Sequence, residues 1–272
     1  MACEGKYYAI RQVAELTGVK PVTLRAWQRR YNLLKPHRSE KGHRLYSQQD
    51  IDTIVKIQSW LAKGVSIGRV KDLLNADSSL QTDETTPVRL DEVEQCLMAV
   101  SRLDTNKVAN IVNTVFKEYP LRHVEQQFIL PLLDTLEQVK RPYRALHKSL
   151  LHNQLLVKIW EVMRAETKAA RGAPCLLVSL EPGCQVLVWL WALNLIEQGM
   201  KVTVLEGVDD LSALDGHPGL EHYQHLALFA SRTLNEAQLL IAHNLAGQYP
   251  GRIYLSQVLE MLCADEILNG VN

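Results

Sequence analysis

The sequence predicts a multidomain α + α/β chain: a winged helix-turn-helix, then a four-helix bundle, then a parallel α/β domain. Three observations predict it. Two short helical patterns flank Thr17-Gly18-Val19 near the start and are followed by a hairpin-like stretch. Residues 88–170 lack glycine and carry helical apolar spacing throughout. Past Gly172, short apolar strand-like runs alternate with helical ones, as in a parallel sheet wrapped on both faces.

Charge divides the chain the same way. All 272 residues together carry no formal net charge. Residues 1–76 hold fourteen Lys and Arg against six Asp and Glu, a net of +8, and the remainder balances it at −8. A basic module joined to an acidic one suggests that the first meets a polyanion and the second does not. Five cysteines (Cys3, Cys96, Cys175, Cys184 and Cys263) show no CxxC spacing, and Glu4, Lys6 and Arg11 interrupt any early apolar run. The longest apolar run, Val186 to Ile196, is about half of the ~20 residues a membrane span needs. A cytoplasmic protein with reduced thiols is expected.

The first helix follows Tyr7-Tyr8-Ala9 and turns Ile10, Val13, Ala14 and Leu16 inward. Gly18 supplies the positive φ of a tight break. Pro21 suits the first position of the next helix. Leu24, Trp27 and Tyr31 then make one apolar stripe, with Thr23, Arg25, Gln28, Arg29 and Arg30 mostly off it. Helix, glycine turn and helix form the helix-turn-helix pattern. Asn32 tolerates the left-handed conformation that ends helices. Between Lys20 and Tyr46 five arginines are interleaved with aromatics. A short basic helix with hydrogen-bonding side chains is what a DNA major groove accepts. Leu34 to Tyr46 reads as a two-stranded wing around Ser39-Glu40-Lys41-Gly42.

Ser47 and Asp50 form a capping box for a helix carrying Ile51, Ile54, Val55, Gln58 and Leu61, which Gly64 closes. Another helix carries Ile67, Val70, Leu73 and Leu74. The polar residues 77–87 are a linker. Within 88–171, Leu90, Val93, Leu97 and Val100 form one stripe and Val108, Ile111, Val115 and Phe116 another. Leu121 to Leu136 and Leu146 to Ala169 continue the pattern, and antiparallel bundling is the natural packing. In the domain of residues 172–272, strands are expected at Pro174 to Leu180, Lys201 to Leu205, His225 to Ala230 and Arg252 to Leu255. Helices are expected at Gln185 to Gln198, Leu234 to Leu245 and the C-terminus.

The first 76 residues resemble the DNA-binding domain of the MerR family of bacterial transcription regulators. The residues that carry the resemblance are Val22 to Tyr31, Leu33 to Arg38, Gly42 to Tyr46, Asp50-Ile51, Gly64 and Leu73-Leu74. Thr23-Leu24-Arg25-Ala26-Trp27-Gln28-Arg29-Arg30-Tyr31 is similar to the MlrA/BluR-like subgroup, and Asn32 stands where the family usually has Gly. The resemblance implies a homodimer on near-palindromic, double-stranded promoter DNA, acting in the context of RNA polymerase. It implies DNA contacts from Lys20, Thr23, Arg25, Ala26, Gln28 and Arg30 on the helix, with Arg25 toward the backbone. Trp27 and Tyr31 are divided between core and phosphate, and Arg38, His43, Arg44 and Tyr46 are wing residues near phosphates. Guanidinium forks suit phosphates and guanine edges.

From residue 88 on, the order of elements is similar to the CarH-like, cobalamin-dependent members of the family: a helical bundle, then a flavodoxin-like cobalamin domain. The cofactor positions depart from that pattern. Cys184 stands for the expected Glu, Val186 for the His that ligates cobalt and Trp189 for a Gly. The Gly-Gly expected after the fourth strand is absent from Tyr254-Leu255-Ser256-Gln257, and leucines precede His147 and His152 where a Glu-His pair belongs. Ser231 alone matches the family's Ser. The cofactor site is therefore expected to be degenerate, with no cofactor bound in the usual way.

His217, Glu221, His222 and His225 crowd one region without a zinc spacing, so no metal is expected. No phosphate loop, dinucleotide fingerprint or nucleophile elbow is present, and Asp209-Asp210 reads as helix capping, so the chain is not expected to be an enzyme. The expectation is a promoter-binding regulator whose C-terminal region receives a signal through a partner protein, with no membrane association. Activation and repression remain open. A C-terminal small ligand, such as a tetrapyrrole, is the alternative reading; an enzyme carrying a DNA-targeting arm is the remote one.

Overall fold

The computed structural model describes residues 6–75, 89–167, 172–181, 186–208, 211–214 and 216–262. The expected linker at 77–87, Cys184 and Asp209-Asp210 lie outside the described residues. The chain forms two compact units, Met1–Gln154 and Leu155–Asn272. The first takes in the expected 1–76 module and much of the expected 88–171 helical region.

The first unit begins β1 (Tyr8–Ala9), α1 (Ile10–Thr17), α2 (Pro21–Tyr31), β2 (His37–Arg38), β3 (Arg44–Tyr46), α3 (Gln48–Ala62) and α4 (Ile67–Asn75). Gly18 ends α1 at φ 70°, donating its N–H to Ala14 O; Asn32 ends α2 at φ 53°. The wing has three antiparallel strands, not two: order β1-β3-β2, with Tyr8 opposite Tyr46. Asp50 N donates to Ser47 Oγ at 3.2 Å and Ser47 N to Asp50 Oδ2 at 2.9 Å, which closes the expected capping box.

Val13, Leu24, Trp27, Leu34, Tyr46, Ile54, Ile57, Leu61 and Val70 form the buried interior. Two expected core residues are exposed instead, Leu16 and Val55. Leu16 turns away from the face set by Val13 and Ala14, and Val55 turns off the Ile51–Ile54–Leu61 face that Ile57 completes.

The unit continues with α5 (Glu92–Ser101), α6 (Thr105–Glu118), α7 (Leu121–His123), a π-helical turn (Val124–Ile129), α8 (Leu130–Glu137) and α9 (Arg141–Thr167), which runs on into the second unit. The π turn interrupts what reads in the sequence as one helix. It buries Gln127, whose Nε2 donates to Leu61 O at 2.9 Å. Gln127 O accepts from Leu90 N at 3.0 Å. α6 packs against both α2 and α5.

The second unit holds β4 (Pro174–Ser179), α10 (Val186–Glu197), β5 (Lys201–Leu205), 3-10 turns at Leu211–Leu214 and Pro218–His222, β6 (His225–Phe229), α11 (Glu236–Gln248) and β7 (Arg252–Leu255). All four strands are parallel, in order β5-β4-β6-β7. The central strands β4 and β6 are almost wholly buried, which explains their continuous apolar runs. Gly172 lies so close to Gly199 O that a Cβ there has no room. Among the described residues no helix is long and apolar enough to cross a membrane.

Candidate nucleic-acid interface

At 100° per residue, α2 separates its side chains cleanly. Leu24 and Trp27 are buried and Tyr31 is half-buried; Val22, Arg25 and Arg29 face outward, with Ala26 and Gln28 half-buried beside them. Lys20, half-buried, is the extended residue before the helix. Thr23 is a correction. Expected on the groove side, it is 2% exposed, because it stacks one turn before Trp27 on the inner side. Trp27 is core: its Nε1 donates to Glu118 O at 2.8 Å. Tyr31 donates its hydroxyl to Glu118 Oε2, and Arg30 pairs with Glu118 Oε1. Burial raises the Tyr31 phenol above its ordinary pKa. Arg30 therefore lies on a flank of α2 rather than its outer face. Arg29, four residues after Arg25, faces outward as the apolar stripe predicts, although the contacts implied by the resemblance leave it out.

The wing meets the opposite flank. Arg44 Nε donates to Gln28 Oε1 at 2.6 Å, tying β3 to α2. Arg38 and His43 are exposed at the hairpin, where Arg38 Nη1 donates to Gly42 O at 3.4 Å and His43 N to Ser39 Oγ at 3.1 Å. Tyr46, expected near phosphates, is wholly buried. It sits on β3, the middle strand, opposite Tyr8 of β1, and burial raises its phenol pKa. Arg25, Arg29, Arg38 and His43 are thus exposed on helix and wing.

At the described positions that the resemblance assigns to cobalamin, the side chains are buried or engaged within the protein. Val186 is buried at the start of α10 and offers no ligating atom. Trp189 Nε1 donates to Glu206 Oε2 at 3.0 Å, and its ring meets Trp160 edge to face at 5.6 Å. Ser231 is engaged by the protein itself: its N–H donates to the buried Glu181 carboxylate at 2.6 Å, and Arg232 N does so at 3.0 Å. Among the described residues no group of three or more potential metal ligands is found. His217 Nδ1 instead accepts from Gly219 N at 3.0 Å, and His225 packs edge-on to Tyr254.

Residues 8–77 match the family described as MerR HTH family regulatory protein. The chain is 31% identical to the HTH-type transcriptional regulator MlrA of Salmonella typhimurium over 198 residues, 73% of this chain and 79% of that protein. The MlrA of Escherichia coli matches with the same identity and coverage. The HTH-type transcriptional repressor CarA of Myxococcus xanthus is 26% identical over 217 residues, 76% of this chain and 70% of that one.

Proposed function

Because the chain belongs to the MerR family of transcriptional regulators, we propose that it binds near-palindromic promoter DNA as a homodimer through α2 and the wing. One observation carries the reading. Arg25 and Arg29 share the outer face of a short helix, flanked by a wing that presents Arg38 and His43, on a module of net charge +8. Such a helix enters a major groove while the cations about it meet phosphates. The second unit serves as receiver. With the cobalamin positions taken by Val186, Trp189 and the Glu181–Ser231 contacts, the signal arrives through a partner protein, and the regulator acts in the context of RNA polymerase. A flavodoxin-like domain is the reading that suits the parallel strand order.

The test is footprinting on promoter fragments selected from genomic DNA, with the wild type and Arg25→Ala compared across salt. The wild type should protect a near-palindromic site. Arg25→Ala should lose that protection without losing helical content, because the side chain is exposed. Unchanged protection by the variant refutes the assigned role. Affinity that is flat in salt refutes the phosphate contacts, since each neutralised phosphate contributes about 0.9 to the log–log slope.

A further inference from the structure

We propose that Glu118 is a positioning residue for promoter recognition, the point through which α6 sets the orientation of α2. The inference rests on the reading of α2 as the recognition helix. Among the described residues Glu118 is one of two buried carboxylates, the other being Glu181 in the sheet unit. Its side chain is 1% exposed, whereas Arg30, its partner, is 54% exposed.

Three residues of α2 converge on Glu118. Its carboxylate takes the Arg30 guanidinium on one oxygen and the Tyr31 hydroxyl on the other, and its main-chain oxygen takes the Trp27 indole N–H. Trp27, Arg30 and Tyr31 stand at i, i+3 and i+4, one flank of the last turns of the helix. Gln28, on the other flank, is held by Arg44 of the wing. Rotation of α2 about its own axis is therefore opposed from both sides, by the wing and by α6. A buried carboxylate stripped of its partners is strongly unfavourable, so the contacts move together rather than one at a time. A displacement of α6 is passed to α2 as a change in how Arg25 and Arg29 meet DNA. Arg30 itself is committed to the carboxylate and contributes to recognition through that pairing.

The experiment uses the full chain. Affinity for the footprinted promoter and for unrelated DNA of equal length is measured across salt for the wild type, Glu118→Ala and Glu118→Gln. Glu118→Ala should lower the promoter-to-unrelated ratio about tenfold, equivalent to ~1.4 kcal/mol. Affinity for unrelated DNA and its salt slope should stay close to wild type, because Arg25 and Arg29 still reach phosphates. Glu118→Gln keeps one acceptor oxygen for Arg30 and offers an N–H to the Tyr31 hydroxyl oxygen, and should recover part of the ratio. An unchanged ratio in a helical Glu118→Ala protein overturns the proposal, as does an equal loss on both DNAs. Should Glu118→Ala fail to fold, Tyr31→Phe decides: it removes one donor from the carboxylate, a several-fold fall in the ratio is expected, and no change overturns the proposal. A wild type that prefers no promoter would instead refute α2 as the recognition helix.

Discussion

Trp27, Tyr46 and Thr23 have side chains suited to meeting DNA, yet all three are buried. Helical spacing leaves Trp27 balanced between core and phosphate contact. What decides it is Glu118 O, 91 residues further along the chain, which accepts its indole N–H. No local pattern carries that information, and the same holds for Tyr46, which is wholly buried on the middle strand of the wing. Residues whose role depends on a neighbour close in sequence were easier to read. Ser47 and Asp50 pair three residues apart as expected. The cysteines show burial acting on chemistry. Cys96 and Cys175 have no exposed surface, and burial pushes their thiols up to about 12 and about 11. The thiolate is the nucleophile. At pH 8 a thiol of pKa about 11 is ionised in roughly one molecule in a thousand, against about a quarter for an ordinary cysteine. Both should therefore resist iodoacetamide at pH 8 in the folded protein and react once it is denatured, as peptide mass mapping would show. Labelling of either at the denatured rate in the native protein would contradict the burial.

α2 is the element most legible in the sequence. Pro21 opens it, its apolar stripe sets the inward face, and Asn32 closes it, all from local chemistry. Asn32 stands at φ 53° and donates its N–H to Gln28 O at 3.2 Å. A left-handed residue is nearly free of strain for Gly, tolerable for Asn and unfavourable by ~1–2 kcal/mol for residues with an ordinary Cβ. Asn32→Gly should accordingly match or slightly exceed wild-type stability, whereas Asn32→Ala should lose about 1 kcal/mol in chemical denaturation. Equal stability of the two variants would show that this cap does not matter. Other elements were hidden for physical reasons. β1 is two residues long, too short for any period, and forms because β3 offers a free edge. The π-helical turn around Gln127 adjusts the helix to reach Leu61 O, a tertiary demand that helical spacing cannot announce. By contrast the parallel strands β4 and β6, buried on both faces, showed themselves as unbroken apolar runs, and all four expected strands lie within a residue of their observed ends.

At the scale of the molecule, charge and packing divide the chain in different places. The basic module ends near residue 76, while the first compact unit reaches Gln154. The difference has a cause in the contacts. α2 buries Trp27 beneath Glu118, Ile67 N donates to Tyr119 Oη at 3.4 Å, and Gln127 Nε2 donates to Leu61 O at 2.9 Å. The charges that suit DNA thus sit on a module whose interior is completed by the helices from residue 92 on. A fragment of residues 1–76 would expose those surfaces, and a core of that size supplies only about 3–5 kcal/mol even when intact. It should be less helical and melt at a lower temperature than a fragment of residues 1–154, which keeps α6 and the π turn. Far-UV circular dichroism and thermal melts of the two fragments check this. Equal melting temperatures would mean that the later helices merely lean on a self-sufficient module. A lower one for the short fragment would mean that the helices from residue 92 on stabilise the fold that presents α2, and so are placed to affect DNA binding without touching DNA.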